Sequence, residues 1–318
     1  MIPLELVHAA HGRIRAHVQR TPLTWDAPRR LWIKWENRQP TGSFKVRGAF
    51  NKILTLPPEE LGRGIVCASA GNHGQAVALA AAGLAPVEIF VGENASPMKV
   101  ARMRALGAAI HVIPGGYSEA ETAAREYAES NSRTWISPYN DPAIIAGQGT
   151  LGMELLEQLA SEPVEAFVVP VGGGGLISGI GTVLWDGRPR PRLVGVQPAD
   201  NAFMHALFVR GTQAHVRDLP SLADGLTGAV QDTSVTIELI RQLVDEIILV
   251  SEDEIARAIA FAWSAYHEVI EGSGAVSLAA LLTGRVAGRP AVAVVTGGNI
   301  DPAVHTRILD EYGSQEPA

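Results

Sequence analysis

Short, continuous apolar runs punctuate this chain, and a segment with helical spacing follows almost every one. The runs fall at residues 64–68, 86–91, 109–113, 134–136, 166–171, 193–196, 246–250 and 291–295. A strand that shows one face to water alternates apolar with polar residues, whereas a strand buried on both faces does not. The absence of alternation therefore points to parallel sheets covered by helices on both sides, an α/β architecture. One more strand is expected at 31–36. Helices are expected at 4–18, at 44–56 where Pro57-Pro58 stops the pattern, at 73–82 and at 118–129. Another should open with Ser96 as N-cap and Pro97 in its first turn, and another should start near Leu176. Ser251 and Glu254 form a capping box for a helix running to about residue 270. The segment Pro138-Tyr139-Asn140-Asp141-Pro142 breaks the rhythm and reads as a crossing between two blocks.

At 318 residues with 47% hydrophobic and 19% charged side chains, the chain can bury a substantial core, and only the polar tail at 313–318 is expected to be disordered. Its 26 basic and 33 acidic residues leave a net charge of −7, which gives no electrostatic reason to bind nucleic acid or an anionic membrane. A small-molecule partner is expected instead. The single cysteine, Cys67, ends an apolar run and reads as packing; it excludes an intramolecular disulfide and a cysteine-rich metal site. Glu5, His8, His11, Arg13 and Arg15 interrupt the N-terminal apolar stretch, so no signal peptide is expected. No segment reaches the length of a membrane span, and the expected location is the cytoplasm. His8, His11 and His17 lie on an amphipathic surface helix and read as solvated side chains.

Four local features carry chemistry. Gly172, Gly173, Gly174 and Gly175 separate a strand from a helix, where bare N–H groups can converge on an anion at the positive end of the helix dipole. A Walker lysine is missing, and no carboxylate follows about twenty residues on, so a phosphate monoester suits this turn better than a nucleotide or dinucleotide. Tight packing is the alternative use of such a turn. Lys45 stands just inside a helix start, where the dipole disfavours its cation and Phe44 adds an apolar neighbour; both lower the amine's proton affinity towards nucleophilic use. A solvated helix-start lysine is the alternative. Ser69, Ala70, Gly71, Asn72 and His73 form a third small-residue strand-to-helix turn, open to a carboxylate, with Asn72 able to donate or accept. Thr296, after the last apolar run, places a neutral hydroxyl at the carboxyl end of a sheet.

Taken in order, Ser43-Phe44-Lys45-Val46-Arg47-Gly48-Ala49, Ser69-Ala70-Gly71-Asn72-His73-Gly74-Gln75, Ile145-Ala146-Gly147-Gln148-Gly149-Thr150, the tetraglycine, Ala223-Asp224-Gly225 and Thr296-Gly297-Gly298-Asn299 span most of the chain. The set resembles the fold-type-II pyridoxal-phosphate enzymes, the fold of the tryptophan synthase β type, and within them the threonine/serine dehydratase and serine racemase branch. That resemblance implies two domains: residues 1–60 and 142–318 as a discontinuous cofactor-binding domain, and 61–141 as a smaller mobile one carrying the substrate-carboxylate loop. It implies that Lys45 carries pyridoxal 5'-phosphate as a Schiff base and takes the substrate's Cα proton. Gly172 to Gly175 would hold the phosphate, Asn72 the ring hydroxyl and Thr296 the ring nitrogen. Phe44 would lie against the ring and Glu271 would approach its edge. Ser69 to His73 would bind the substrate carboxylate. A homodimer or homotetramer is expected.

A threonine hydroxyl cannot keep the ring nitrogen protonated, so the cofactor would be a weaker electron sink, and prompt loss of a β-hydroxyl suits it better than transamination. The departing hydroxide would take its proton most readily from the bound phosphate. The expected reaction is L-threonine or L-serine to a 2-oxo acid plus ammonia. Hydroxyaspartate, phenylserine and hydroxyectoine-derived hydroxy-amino acids share the reacting atoms and remain open as substrates. Racemases of this branch carry a serine where this chain has Ala70, which cannot transfer a proton. β-Replacement synthases carry Thr-Gly after the Gly-Asn pair, where this chain has His73-Gly74. Metal-dependent relatives place carboxylates where Gln197 and Phe203 stand, so no metal is expected. The regulatory domain of longer biosynthetic dehydratases is not expected after the last helix. A non-catalytic phosphate-binding module is the remaining alternative.

Overall fold

The computed structural model describes residues 1–160, 162–185 and 190–313; the end of the proposed polar tail, 314–318, lies outside them. In chain order the helices are α1 (Leu4–Ile14), α2 (Lys45–Ile53), α3 (Pro58–Arg63), α4 (Asn72–Ala80), α5 (Pro97–Ala105), α6 (Tyr117–Ser130), α7 (Pro142–Leu159), α8 (Gly175–Leu184), α9 (Phe203–Arg210), α10 (Val235–Leu243), α11 (Glu252–Tyr266), α12 (Gly272–Leu282) and α13 (Pro302–Tyr312). The strands are β1 (Leu23–Asp26), β2 (Leu31–Trp35), β3 (Ile65–Ala68), β4 (Val87–Gly92), β5 (Ala109–Ile113), β6 (Thr134–Trp135), β7 (Ala166–Pro170), β8 (Arg192–Pro198), β9 (Glu246–Val250) and β10 (Ala291–Val295).

The strands form two sheets. One has six strands in the order β1-β2-β10-β7-β8-β9, the other four in the order β5-β4-β3-β6. All neighbours are parallel except β1 and β2, which pair antiparallel at the edge of the larger sheet. The continuous apolar runs at the centre explain this: every residue of β3, β4, β7 and β10 is buried. The reversal of strand order creates two crevices. In the larger sheet β7, β8 and β9 proceed one way while β10 lies on the other side of β7. In the smaller sheet β3, β4 and β5 proceed one way while β6 lies on the other side of β3. Ligands of parallel α/β sheets bind outside the carboxyl ends of the strands at such points. The tetraglycine follows β7, Thr296 follows β10, the Ser69–Asn72 turn follows β3, and Ile136 to Pro138 follow β6. Three of the four candidate segments therefore leave the strand ends that flank the two reversals, and the segment after β6 joins them there.

Several elements differ from the sequence expectation, each for a physical reason. The helix expected to 270 ends at Tyr266 because His267 adopts φ +56, and the chain turns there to set Glu268 against Arg38. The first helix ends at Ile14 rather than at 18, and the helix expected to 56 ends at Ile53, where 3₁₀-type bonds from Thr55 and Leu56 close the last turn. Ser96 precedes its helix without a side-chain cap bond. Helix α7 was hidden by its own start, since Pro142 reads as a breaker; Asp141 caps it by accepting from the N–H groups of Ala143 (2.7 Å) and Ile144 (3.2 Å). Its glycines belong to a tight helix contact: a Cβ on Gly179 of α8 would come 2.5 Å from the Ile145 carbonyl oxygen of α7. Strand β1 and helices α3, α9, α10, α12 and α13 were not anticipated. No helix among the described residues is long and apolar enough to cross a membrane.

Candidate active site

The segment before α2 is stitched to the end of β10. The N–H of Phe44 donates to the Thr296 carbonyl (3.0 Å), the N–H of Gly298 donates to the Gly42 carbonyl (2.9 Å), and Ser43 bridges Gly297. Gly42 takes φ +71, and a Cβ there would meet Asn299 Oδ1 at 2.8 Å, so both conformation and space call for glycine. This join delivers Lys45, the first residue of α2, into the crevice beside Thr296. Its Nζ donates to the Pro138 carbonyl at 3.0 Å and lies 5.2 Å from the Phe44 ring. Loss of hydration pushes the Lys45 amine down to about 8, and no carboxylate forms an ion pair with it among the described residues. At pH 7 roughly a tenth of such amines would be neutral, against roughly one in several thousand for a free lysine. That is the chemistry a carbonyl-capturing lysine needs.

The tetraglycine closes the other side. Gly174 takes φ +88, and a Cβ on Gly173 would sit 2.3 Å from the Tyr139 ring, so the loop lies bare against that ring. Gly175 opens α8, whose first-turn N–H groups have no intrahelical acceptors and point out of the helix start. Thr236 Oγ1 fixes the loop from outside by donating to the Gly173 carbonyl (2.6 Å). Thr296 Oγ1 is buried and donates to the Ser273 carbonyl (3.2 Å), a neutral group.

From the smaller sheet comes the turn Ser69–Asn72. Ser69 Oγ accepts from the N–H of Gly71 (3.1 Å), Ala70 is exposed, and Asn72 starts α4. His73 turns away from this surface: Nε2 is 3.1 Å from the Ile136 carbonyl, and burial, helped by the nearby Lys45 charge, pushes its ring down to about 3. Of the sequence candidates, His73 is thus a buried, neutral ring engaged with backbone. Lys99 packs beneath Gly71 and forms an ion pair with Asp224 across the crevice at 2.7 Å.

Glu271 lies close to Asn72, whose Nδ2 donates to Glu271 Oε1; Oε2 is buried without a partner. Burial pushes this carboxyl up to about 7, with Asp224 adding to the effect. A pyridine-type cofactor carrying a phosphate and an aldehyde fits this donor set: a neutral-capable amine, a glycine-lined helix start, a neutral hydroxyl, and an amide flanked by an unpartnered carboxyl oxygen.

The two positions judged unsuited to a metal have other partners. Gln197 Oε1 accepts from the N–H of His205 (2.7 Å), and Phe203 is buried in the core beside Met204 and Leu207. Within the Ile145–Thr150 motif, Gln148 accepts from the N–H of Gly48 (3.3 Å), so the motif docks α7 on α2.

Sequence reading missed a buried ion cluster just below Lys45. Arg47 donates to Glu36 at 2.7 and 2.8 Å and to Glu154 at 2.9 Å, and Lys34 joins Glu154, Gln158 and the Thr21 carbonyl. A lysine inside the apolar strand 31–35 was the available signal. Burial works against the Glu36 charge, but Arg47, Lys34 and Thr21 together outweigh it and hold the carboxyl below its ordinary range. Pro138, Tyr139, Lys99 and Arg102 were also missed. Pro138 and Tyr139 stood out only as part of a crossing segment, and nothing in the local pattern of Lys99 and Arg102 marks them, because other elements bring them to the site.

A sequence profile of the family described as pyridoxal-phosphate dependent enzymes matches residues 14–297. An L-threonine ammonia-lyase of Thermotoga maritima is 41% identical, covering 98% of this chain and 79% of the relative. A catabolic L-threonine dehydratase of Escherichia coli is 39% identical, covering 85% of this chain and 83% of the relative. Among solved structures, the processed form of threonine deaminase isoform 2 from Solanum lycopersicum superimposes with a TM-score of 0.88 at 31% identity, covering 98% of this chain and 93% of that one. Maize serine racemase superimposes at 0.87 and 30% identity, covering 97% of each chain.

Proposed function

The chain belongs to the pyridoxal-phosphate dependent enzymes, and on that premise we propose that it eliminates the β-hydroxyl of L-threonine or L-serine to give a 2-oxo acid and ammonia. The observation that carries the proposal is the half-buried amine of Lys45, held by the Pro138 carbonyl and by no carboxylate among the described residues, beside Thr296 and facing the tetraglycine side of the crevice. Pyridoxal phosphate, when bound, supplies an electron sink for charge developing at Cα of an amino acid.

The chain's own residues do the rest. Lys45 would hold the cofactor and, once released by substrate, accept the Cα proton at Nζ, since no carboxylate among the described residues forms an ion pair with it. Gly172 to Gly175 and the start of α8 would hold the phosphate. Thr296 would face the ring nitrogen with a hydroxyl that leaves it unprotonated, Phe44 would line the ring, and Asn72 would bond the ring hydroxyl. Ser69 to Asn72 would offer backbone N–H groups to the substrate carboxylate, and the block at 61–141 would close over it. The same reading has the enzyme acting in the cytoplasm as a homodimer or homotetramer, with no nucleic acid or membrane partner and no metal.

A panel of β-hydroxy amino acids, followed by 2-oxo acid formation, tests the reaction. L-Threonine and L-serine are expected to turn over, with D-isomers poor substrates; turnover only of hydroxyaspartate or phenylserine would move the substrate assignment. Ala70 sharpens the test, because its methyl group offers no exchangeable proton. Recovered serine should stay L in the wild type, and Ala70→Ser should produce measurable D-serine, at a stability cost of about 1 kcal/mol. Abundant D-serine from the wild type would overturn the one-sided reading.

Exhaustive chelation should leave activity and Tm unchanged, given the roles of Gln197 and Phe203. A loss restored by magnesium or calcium would contradict that, and would point to Asp200, which pairs with Arg217 at 2.8 Å.

A further inference from the structure

The useful end of Asn72 depends on which way its amide is turned. The side-chain amide of asparagine is nearly symmetric in shape, so its orientation is set by its partners. Here the partners leave a single solution. The Arg102 guanidinium has donors only, and its Nη1 lies 2.6 Å from the Asn299 amide, so the atom it meets must be Oδ1. The Thr41 carbonyl, which can only accept, lies 2.8 Å from the other end and must meet Nδ2. Asn299 Nδ2 also lies 2.7 Å from Asn72, whose facing atom must therefore be Oδ1. Asn72 is left with Nδ2 towards Glu271 Oε1 and one further hydrogen on the same nitrogen. Asn299 itself is buried and packed under Gly42, so it has no room to relax.

We propose that Asn299, clamped between Thr41 and Arg102, is a positioning residue that fixes the amide of Asn72 so that it presents a donor to the cofactor's ring hydroxyl. The clamp spans the crevice, because Arg102 stands on α5 of the smaller-sheet block while Asn299 follows β10 of the larger sheet. Docking of α5 and orientation of Asn72 are thereby coupled. The inference rests on the proposed role of Asn72 and deepens it. It concerns the ring end of the site, away from the glycines.

The test uses the holoenzyme and reads the visible band of the bound cofactor, its pH titration, and the cofactor Kd, alongside Tm. Asn299→Asp keeps the shape but offers only acceptors, so it takes Arg102's bond and cannot donate to Asn72. Its visible maximum and titration midpoint should move, and cofactor affinity should fall by about tenfold, one lost buried hydrogen bond's worth. Arg102→Met, at an exposed position that leaves folding intact, should move the same readouts in the same direction by a few-fold at most, because Thr41 still holds one end. Arg102→Lys keeps a donor and should restore the wild-type band. Wild-type band, titration and Kd in both Asn299→Asp and Arg102→Met, with change confined to Tm, would overturn the proposal. If Asn299→Asp does not fold, Arg102→Met alone decides it. A wild-type protein with no visible band at all would instead overturn the cofactor assignment on which the inference rests.

Discussion

Lys45→Ala is expected to release the cofactor from covalent attachment and to lower elimination by about a thousandfold or more. The lysine's setting suits both proposed duties: α2 begins at Lys45, the β10 join aims it at the crevice, and loss of hydration moves the amine down to about 8. Alanine at the first helical turn costs nothing in helix propensity, so the variant should keep its fold. It should bind pyridoxal phosphate reversibly through the glycine loop, with no borohydride-stable adduct. Normal turnover, or a stable adduct on another lysine, would remove Lys45 from the mechanism. Lys34, Lys52 and Lys99 are each already held in an ion pair, so none offers an amine comparable to Lys45.

Lys45, the tetraglycine, the Ser69–Asn72 turn and Thr296 were legible in the sequence because each sits at a strand-to-helix junction, where small residues and a helix start leave a local mark. What closes around them was not legible. Pro138 contributes a carbonyl, a group every residue has. Arg102 and Lys99 look like ordinary surface cations on an amphipathic helix, and only the approach of Asn299 and Asp224 gives them partners. The parallel sheets followed from unbroken apolar runs, but the antiparallel edge strand β1 did not. Leu23 and Thr24 are half-buried, Trp25 is exposed and the buried residue is the polar Asp26, so its composition carries no such signature. Helix α7 escaped for the opposite reason: the glycines and proline that serve its caps and close packing mimic a loop.

The second large effect concerns stability. Arg47→Met should destabilise the fold by about 3–5 kcal/mol, because it leaves the Glu36 carboxylate buried without its ion-pair partner and Glu154 with Lys34 alone. The pair is worth little relative to an apolar replacement of all partners, but removing one member strands a charge. The loss should shrink when Glu36→Gln is added to the same chain, since the second change removes one stranded charge; urea denaturation of the single and double variants measures this coupling. Additive losses would mean that Arg47 acts through packing alone. The cluster also has a place in the site. It ties α2, two residues beyond Lys45, to Glu154 of α7 and to the end of β2, whose Trp35 pairs with Val295 immediately before Thr296. A loosened cluster should therefore broaden the position of Lys45 as well as lower the unfolding midpoint.

Borohydride reduction of the purified holoenzyme, followed by peptide mass mapping, addresses the central assignment directly. The predicted result is loss of the visible band with a single pyridoxyl-sized mass increment on the peptide containing Lys45. An increment on the peptide of any other lysine, or a protein that shows no band before reduction and no increment after it, would contradict the account.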